Sequence, residues 1–170
     1  SLDATHEQRI YNILVDMGHD ITLVDKNIGI NYYNYDMIVV AGRPLGSGGL
    51  DSFVANIPVN DIPTIAIDFA YLDDWGWVKN PGASSLSSSD RHKVYPQIVH
   101  PLTNGYAVGQ KVYVHLLDGY KVIDLVEGKN NLTKVATVQA DGDLSLISYA
   151  NPNTQLAGGK KVGNHAAIVF

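Results

Sequence analysis

The chain contains no cysteine. That removes disulfides, thiolate metal sites and a cysteine nucleophile together. Charge is also sparse: 17% of residues are Asp, Glu, Lys or Arg, with a balance of −5. The longest basic run is Lys160–Lys161. Phosphate backbones need clustered cations, so nucleic acid is not an expected partner. No apolar run approaches the roughly 18 residues of a membrane-spanning helix. No signal-peptide pattern opens the 170 residues, whose start reads as mid-domain sequence of an excised secreted piece. The six histidines form no H-x-x-x-H or H-E-x-x-H spacing, which leaves a zinc site without support.

What is present is a core. The apolar fraction of 45% over 170 residues suits one globular domain, taken as 1–170, with no linker or internal repeat. Ten tyrosines and 16 glycines, with many Asn and Ser and few charges, suit an extracellular or cell-surface protein.

Local patterns come next. Thr5 and Gln8 have capping-box spacing. Ile10, Ile13, Leu14 and Met17 follow on one apolar stripe, predicting a helix that ends at Gly18. Ile21–Asp25 reads as a buried strand, and no strand precedes the helix. Asn31–Tyr35 is a tyrosine-rich loop. Met37–Ala41 and Ile62–Asp68 read as parallel strands buried on both faces. A short helix is expected over Leu50–Asn56. Phe69–Ser89 reads as an irregular excursion across the top of the sheet. From Lys111 the pattern turns β-rich: Lys111–Leu117, Lys121–Val126, Thr133–Gln139, Leu144–Ala150 and Lys161–Phe170.

Chemistry-bearing motifs are few. The loop Gly42–Gly49 follows a strand, but it fits neither phosphate-binding glycine pattern, so tight turning is the better reading. Asp68 sits where some α/β enzymes place a nucleophile, although a capping role fits it better. Asp68, Asp73 and Asp74, or Asp141 and Asp143, carry the oxygen ligands Ca²⁺ prefers, yet turns with solvated carboxylates explain them better. No metal or cofactor is expected. His100, ahead of Pro101, reads as a turn-shaping residue. Asn131-Leu-Thr133 is a glycosylation pattern. Tyr32, Tyr33, Tyr35, Trp75 and Trp77 either form exposed aromatic loops for sugars or partners, or close the ends of a core. Ligands of open α/β sheets bind at the carboxyl ends of strands. Asp25, Arg43, Asp68, Tyr71, Asp73, Asp74, Trp75 and Trp77 are therefore the candidate binding residues.

The order of pieces resembles a known group. DMGHDITLVD (16–25), YDMIVVAG (35–42), IPTIAIDFAYLDDWG (62–76), HPLTNGY (100–106) and LAGGKKVGNHAAIVF (156–170) resemble the class I glutamine amidotransferase-like superfamily. The likeness is nearer to its non-catalytic accessory domains in secreted or surface proteins, and more distant to ThuA-like proteins. It implies a flavodoxin-like α/β sandwich of three layers: a mainly parallel sheet flanked by helices, then a β-rich C-terminal part. The central first strand of that fold would be absent from the chain. Another chain would then fill its slot, or Ile21–Val24 and Met37–Ala41 would pair directly. The family places a cysteine on the elbow after the strand matching Thr64–Ile67. Here Asp68-Phe69-Ala70 stands there, so glutaminase activity is not expected, and His165 inherits no role. The expected function is a non-enzymatic structural or interaction domain that binds a protein partner or itself. The alternative is a carbohydrate-binding or carbohydrate-processing module.

Overall fold

The computed structural model describes residues 7–24, 29–41, 56–67, 72, 75–77, 83–84, 93–114, 122–124, 132–140, 142, 144–156, 161–163 and 166–169. One α-helix, α1 (Glu7–Asp16), precedes nine strands among these residues. They are β1 (Ile38–Val40), β2 (Thr64–Ala66), β3 (Ala83–Ser84), β4 (Lys93–Pro96), β5 (Val112–Tyr113), β6 (Val122–Asp124), β7 (Thr133–Thr137), β8 (Leu144–Ala150) and β9 (Ala166–Val169).

The main path through the sheet runs β1-β2-β9-β8-β7-β4-β5. Only the β1–β2 and β2–β9 ladders are parallel. The β8–β9, β7–β8, β4–β7, β4–β5, β6–β8 and β3–β6 ladders are antiparallel. The expected mainly parallel, flavodoxin-like sandwich is therefore corrected to a mixed, largely antiparallel sheet with one described α-helix. The physical reason lies in the connections. Parallel neighbours need a crossover of a dozen or more residues, usually a helix. β7 instead ends at Thr137 and β8 begins at Leu144, a far shorter connection, closed by Val138 N–H to Leu144 O at 3.0 Å and Gly142 N–H to Gln139 O at 3.2 Å. Such a connection returns the chain antiparallel. The β-rich part is not an appendage either: β9 sits between β2 and β8 and joins both halves into one sheet.

Ile21–Val24 is a second correction. It forms no strand, and Leu23 and Val24 are exposed. β2 is flanked by β1 and β9, so the interior position beside it is filled from the C-terminal end. Direct pairing of Ile21–Val24 with β1 does not occur. Among the described residues no strand covers the outer edge of β1.

The larger core gathers Ile38, Ile57, Val59, Ile62, Ala66, Leu72, Trp75, Trp77, Leu132, Ala150, Leu156 and Val162 around the parallel strands and the chain that feeds them. A smaller one joins Val94, Val138 and Leu146 under the antiparallel hairpins. β7 and β8 pair with two register shifts, at Lys134/Ala136 and Ala136/Thr137. One extra residue on each strand breaks the alternation of faces. Ser145 and Ser148, three apart, thereby meet through their hydroxyls at 2.6 Å in the interior. One hydroxyl donates and the other accepts where water cannot reach, and Ser145 Oγ also lies 2.9 Å from Ile147 O.

α1 matches the expected stripe and stop. Gly18, at φ +86°, takes the left-handed conformation expected of it. Gly18 N–H donates to Val15 O at 2.8 Å and His19 N–H to Leu14 O at 3.1 Å. This pair of bonds is the Schellman stop, which satisfies two terminal carbonyls. Gln8 donates to Asn12 Oδ1 at 2.9 Å, one turn on. Its expected partner Thr5 lies outside the described residues. No residue of α1 is buried.

Candidate functional site

The described cleft lies at the amino ends of the parallel strands, opposite the end expected to bind ligands. Three short segments build it, one leading toward each strand. Before β1, Tyr32–Asn34 forms a single 3-10 turn capped by Asn31, whose side chain accepts Tyr33 N–H at 3.2 Å. Before β2, residues 56–61 are tightly turned. Asp61 N–H and Ile62 N–H both donate to Pro58 O, at 3.0 and 3.1 Å. Ahead of β9, Lys161–Gly163 runs past this turn, and Gly163 N–H donates to Asn60 O.

That last approach explains the glycine. A Cβ on Gly163 would stand 2.5 Å from Asn60 O, a backbone atom that cannot swing away. Trp77 supports the turn from beneath: its indole N–H donates to Asn60 Oδ1 at 2.6 Å. A bond this short to a part-buried partner holds Asn60 and leaves its amide nitrogen as a donor.

The cleft is a wide, open depression of about 490 Å³, lined by Tyr33, Asn60, Asp61 and Lys161 with Ile57 and Val59. Tyr33 is 67% exposed. Its hydroxyl donates to Asp61 Oδ2 at 2.9 Å. That bond, then the nearby carboxylate charge, then burial raise the Tyr33 pKa above the ordinary tyrosine value. Tyr32, on the same turn, is also raised, by burial. The cleft thus offers a carboxylate acceptor, amide and ammonium donors, and one phenol ring.

The candidate binding residues fare differently. Asp25, Arg43, Asp68, Tyr71, Asp73 and Asp74 lie outside the described residues, as do the loop Gly42–Gly49, Asn131, Asp141, Asp143 and His165. Trp75 and Trp77 are each 1% exposed. Their rings meet at 5.2 Å between centroids with a 59° tilt, within the contact range of aromatic pairs. Of the two readings open for them, the structure places both in the core. His100 shapes its turn as expected. Its Nδ1 accepts Leu102 N–H at 3.2 Å, and Thr103 completes a capping box. Its ring also stacks on Tyr149, at 4.8 Å.

Sequence reasoning named Tyr33 but missed Asn60, Asp61 and Lys161. The available signal was the polar Asn60-Asp61 pair directly ahead of an apolar strand, at the amino end rather than at the carboxyl end where open α/β sheets bind ligands. The exposed stripe of α1 was also unforeseen: Ile13 is 58% and Met17 68% exposed.

Comparison with protein-family models, curated proteins and solved structures finds no match. Among the described residues, no helix is long and apolar enough to cross a membrane.

Proposed function

We propose that this chain is a non-catalytic interaction domain of a secreted or cell-surface protein, and that it engages another protein chain through α1. The carrying observation is a well-formed, correctly stopped helix whose apolar stripe leaves Ile13 and Met17 exposed and Ile10 and Leu14 only half-buried. A helix of ten residues is marginal alone, because most helical stability in proteins comes from packing an apolar face. The stripe therefore calls for a cover. A composition rich in Asn, Ser, Tyr and Gly supports the extracellular setting. The absence of cysteine supports a role without the nucleophile of the amidotransferase-like enzymes.

Hydrogen exchange over 7–16 tests this reading. Protection of the α1 amides that rises with protein concentration, or on adding a binding chain, is the expected outcome. Strong protection in a dilute monomer would mean that the chain covers its own helix, and would end the proposal.

The cleft favours a second reading, carbohydrate binding, at the amino ends of the strands. Sugar hydroxyls both donate and accept, and a sugar ring has an apolar face. Asp61, Asn60 and Tyr33 present the matching groups. Titrating the protein with neutral oligosaccharides should shift the Asn60 and Asp61 amide resonances. Tyr33→Ala should abolish those shifts. Shifts that survive this substitution count against the cleft.

A further inference from the structure

The charges beside the α1 stripe say more about what covers it. Ile10, Ile13, Leu14 and Met17 form the stripe, which is nearly symmetric about the midpoint between Ile13 and Leu14. Reversing the helix exchanges Ile10 with Met17 and Ile13 with Leu14. Arg9 and Asp16 lie seven residues apart, two turns along one flank of this stripe. Both are exposed, and neither has an ion pair or hydrogen-bonding side-chain partner among the described residues.

We infer that α1 pairs antiparallel with α1 of a second copy of this chain, about a two-fold axis passing between Ile13 and Leu14. The inference rests on the interaction reading above. Three features select this occupant. A two-fold contact must be self-complementary, and the reversed stripe matches itself in size and polarity. In an antiparallel pair each flank meets the same flank of its neighbour. Arg9 then lies near the partner's Asp16, and Asp16 near the partner's Arg9, so one contact forms twice. In a parallel pair the same flank would meet the opposite one, where Glu7 and Tyr11 lie, so Arg9 would face the partner's Glu7 but Asp16 would go unmatched. The opposite ends also favour this direction: antiparallel helices bring the positive N-terminus of one beside the negative C-terminus of the other.

Four apolar side chains from each copy make a small interface, at the low end of specific contacts. The pair is therefore weak and concentration-dependent. Its role is to cover the stripe and to hold two copies, or two sites on one assembly, in fixed orientation.

The cysteine-free chain makes the test direct. Ile10→Cys and Met17→Cys chains are mixed and oxidised at concentrations where sedimentation shows association. The mixed disulfide should exceed both homodisulfides by about tenfold, since the antiparallel register brings only those two positions together. Arg9→Glu and Asp16→Arg, both at exposed positions, should each weaken dimerisation roughly threefold to tenfold. The double charge swap should restore it. Dominance of the Ile10→Cys homodisulfide would overturn this register while leaving the interaction reading intact. A monomer at the highest attainable concentration, with charge swaps inert, would overturn self-pairing. Hydrogen exchange on α1 then decides separately whether the helix is covered by another protein.

Discussion

Two regions of this molecule, an amphipathic helix and an irregular segment, differ in how much of their surface the fold buries. Glu7–Asp16 carries an amphipathic stripe and the family likeness implied a helix packed on a sheet, yet no residue of it is buried. The segment around Leu72–Trp77 reads as an irregular excursion across the top of the sheet, its tryptophans either exposed or closing the core, and Leu72, Trp75 and Trp77 are among the most buried side chains described. The difference teaches where packing energy is found in this fold. An amphipathic period shows which face wants covering, but not which chain covers it. A tryptophan in an irregular segment can supply more buried area than a strand residue. Leu72 and Trp77 also close their own turn, through Trp77 N–H to Leu72 O at 2.7 Å. An irregular stretch becomes a core element when its backbone polar groups are satisfied locally.

The sharpest way to break this comparison is Trp75→Ala. Removing a buried indole leaves a cavity beside Trp77 and should cost about 3–5 kcal/mol. For a chain of this size that lowers the melting temperature by roughly 10 °C. A shift of only a degree or two in a thermal melt would mean that the ring is not enclosed. Next in size is Gly163→Ala, where the added methyl meets the Asn60 carbonyl. Overpacking against backbone costs about 1–3 kcal/mol. It should also loosen the turn that carries Asp61, so any ligand bound in the cleft should weaken with it. Denaturant unfolding of the variant checks the first effect.

The α1 side of the comparison predicts the opposite. Ile13→Asp removes an exposed apolar side chain, so stability of the dilute monomer should stay within about 0.5 kcal/mol of the parent. Association should fall sharply, because the charge would sit at the centre of the stripe. A large loss of monomer stability would place Ile13 in the chain's own core and return α1 to the conventional arrangement.

Much of the local structure was legible. The strands expected over Met37–Ala41, Ile62–Asp68 and Leu144–Ala150 appear as β1, β2 and β8, and the helix ends on Gly18 as its left-handed conformation requires. What was not legible is long-range. Ile21–Val24 has the composition of a buried strand, but a strand exists only where an edge accepts it, and the interior edge of β2 is taken by β9. Which strands pair, and in which direction, follows from contacts across more than a hundred residues, from Ile65 to Ala167. Periodicity within a window carries no trace of that. The likeness to an α/β family implies a topology in its place, and the short connection from Thr137 to Leu144 argues for a different one. The cleft was half legible for a related reason. Tyr33 stands out as an aromatic in a loop, but Asp61 and Lys161 become its neighbours only through the β1-β2-β9 order.

The smallest effect concerns that cleft and needs its sign worked out. The Tyr33 pKa is raised first by its hydrogen bond to Asp61 and then by the carboxylate charge, since both disfavour a phenolate. Being raised relative to the unfolded chain, it contributes stability fully below the unfolded value near 10. That contribution disappears as pH rises through the folded value. The ring is open to solvent, so the effect on stability is slight, and it is better seen by titration than by unfolding. The difference in phenolate absorbance between the parent and Tyr33→Phe should give a midpoint above the ordinary tyrosine value, moving down in Asp61→Asn as the charge is removed. An unchanged midpoint in Asp61→Asn would separate the two residues in solution. It would remove the polar half of the cleft, leaving α1, among the described residues, as the surface whose chemistry asks for a partner.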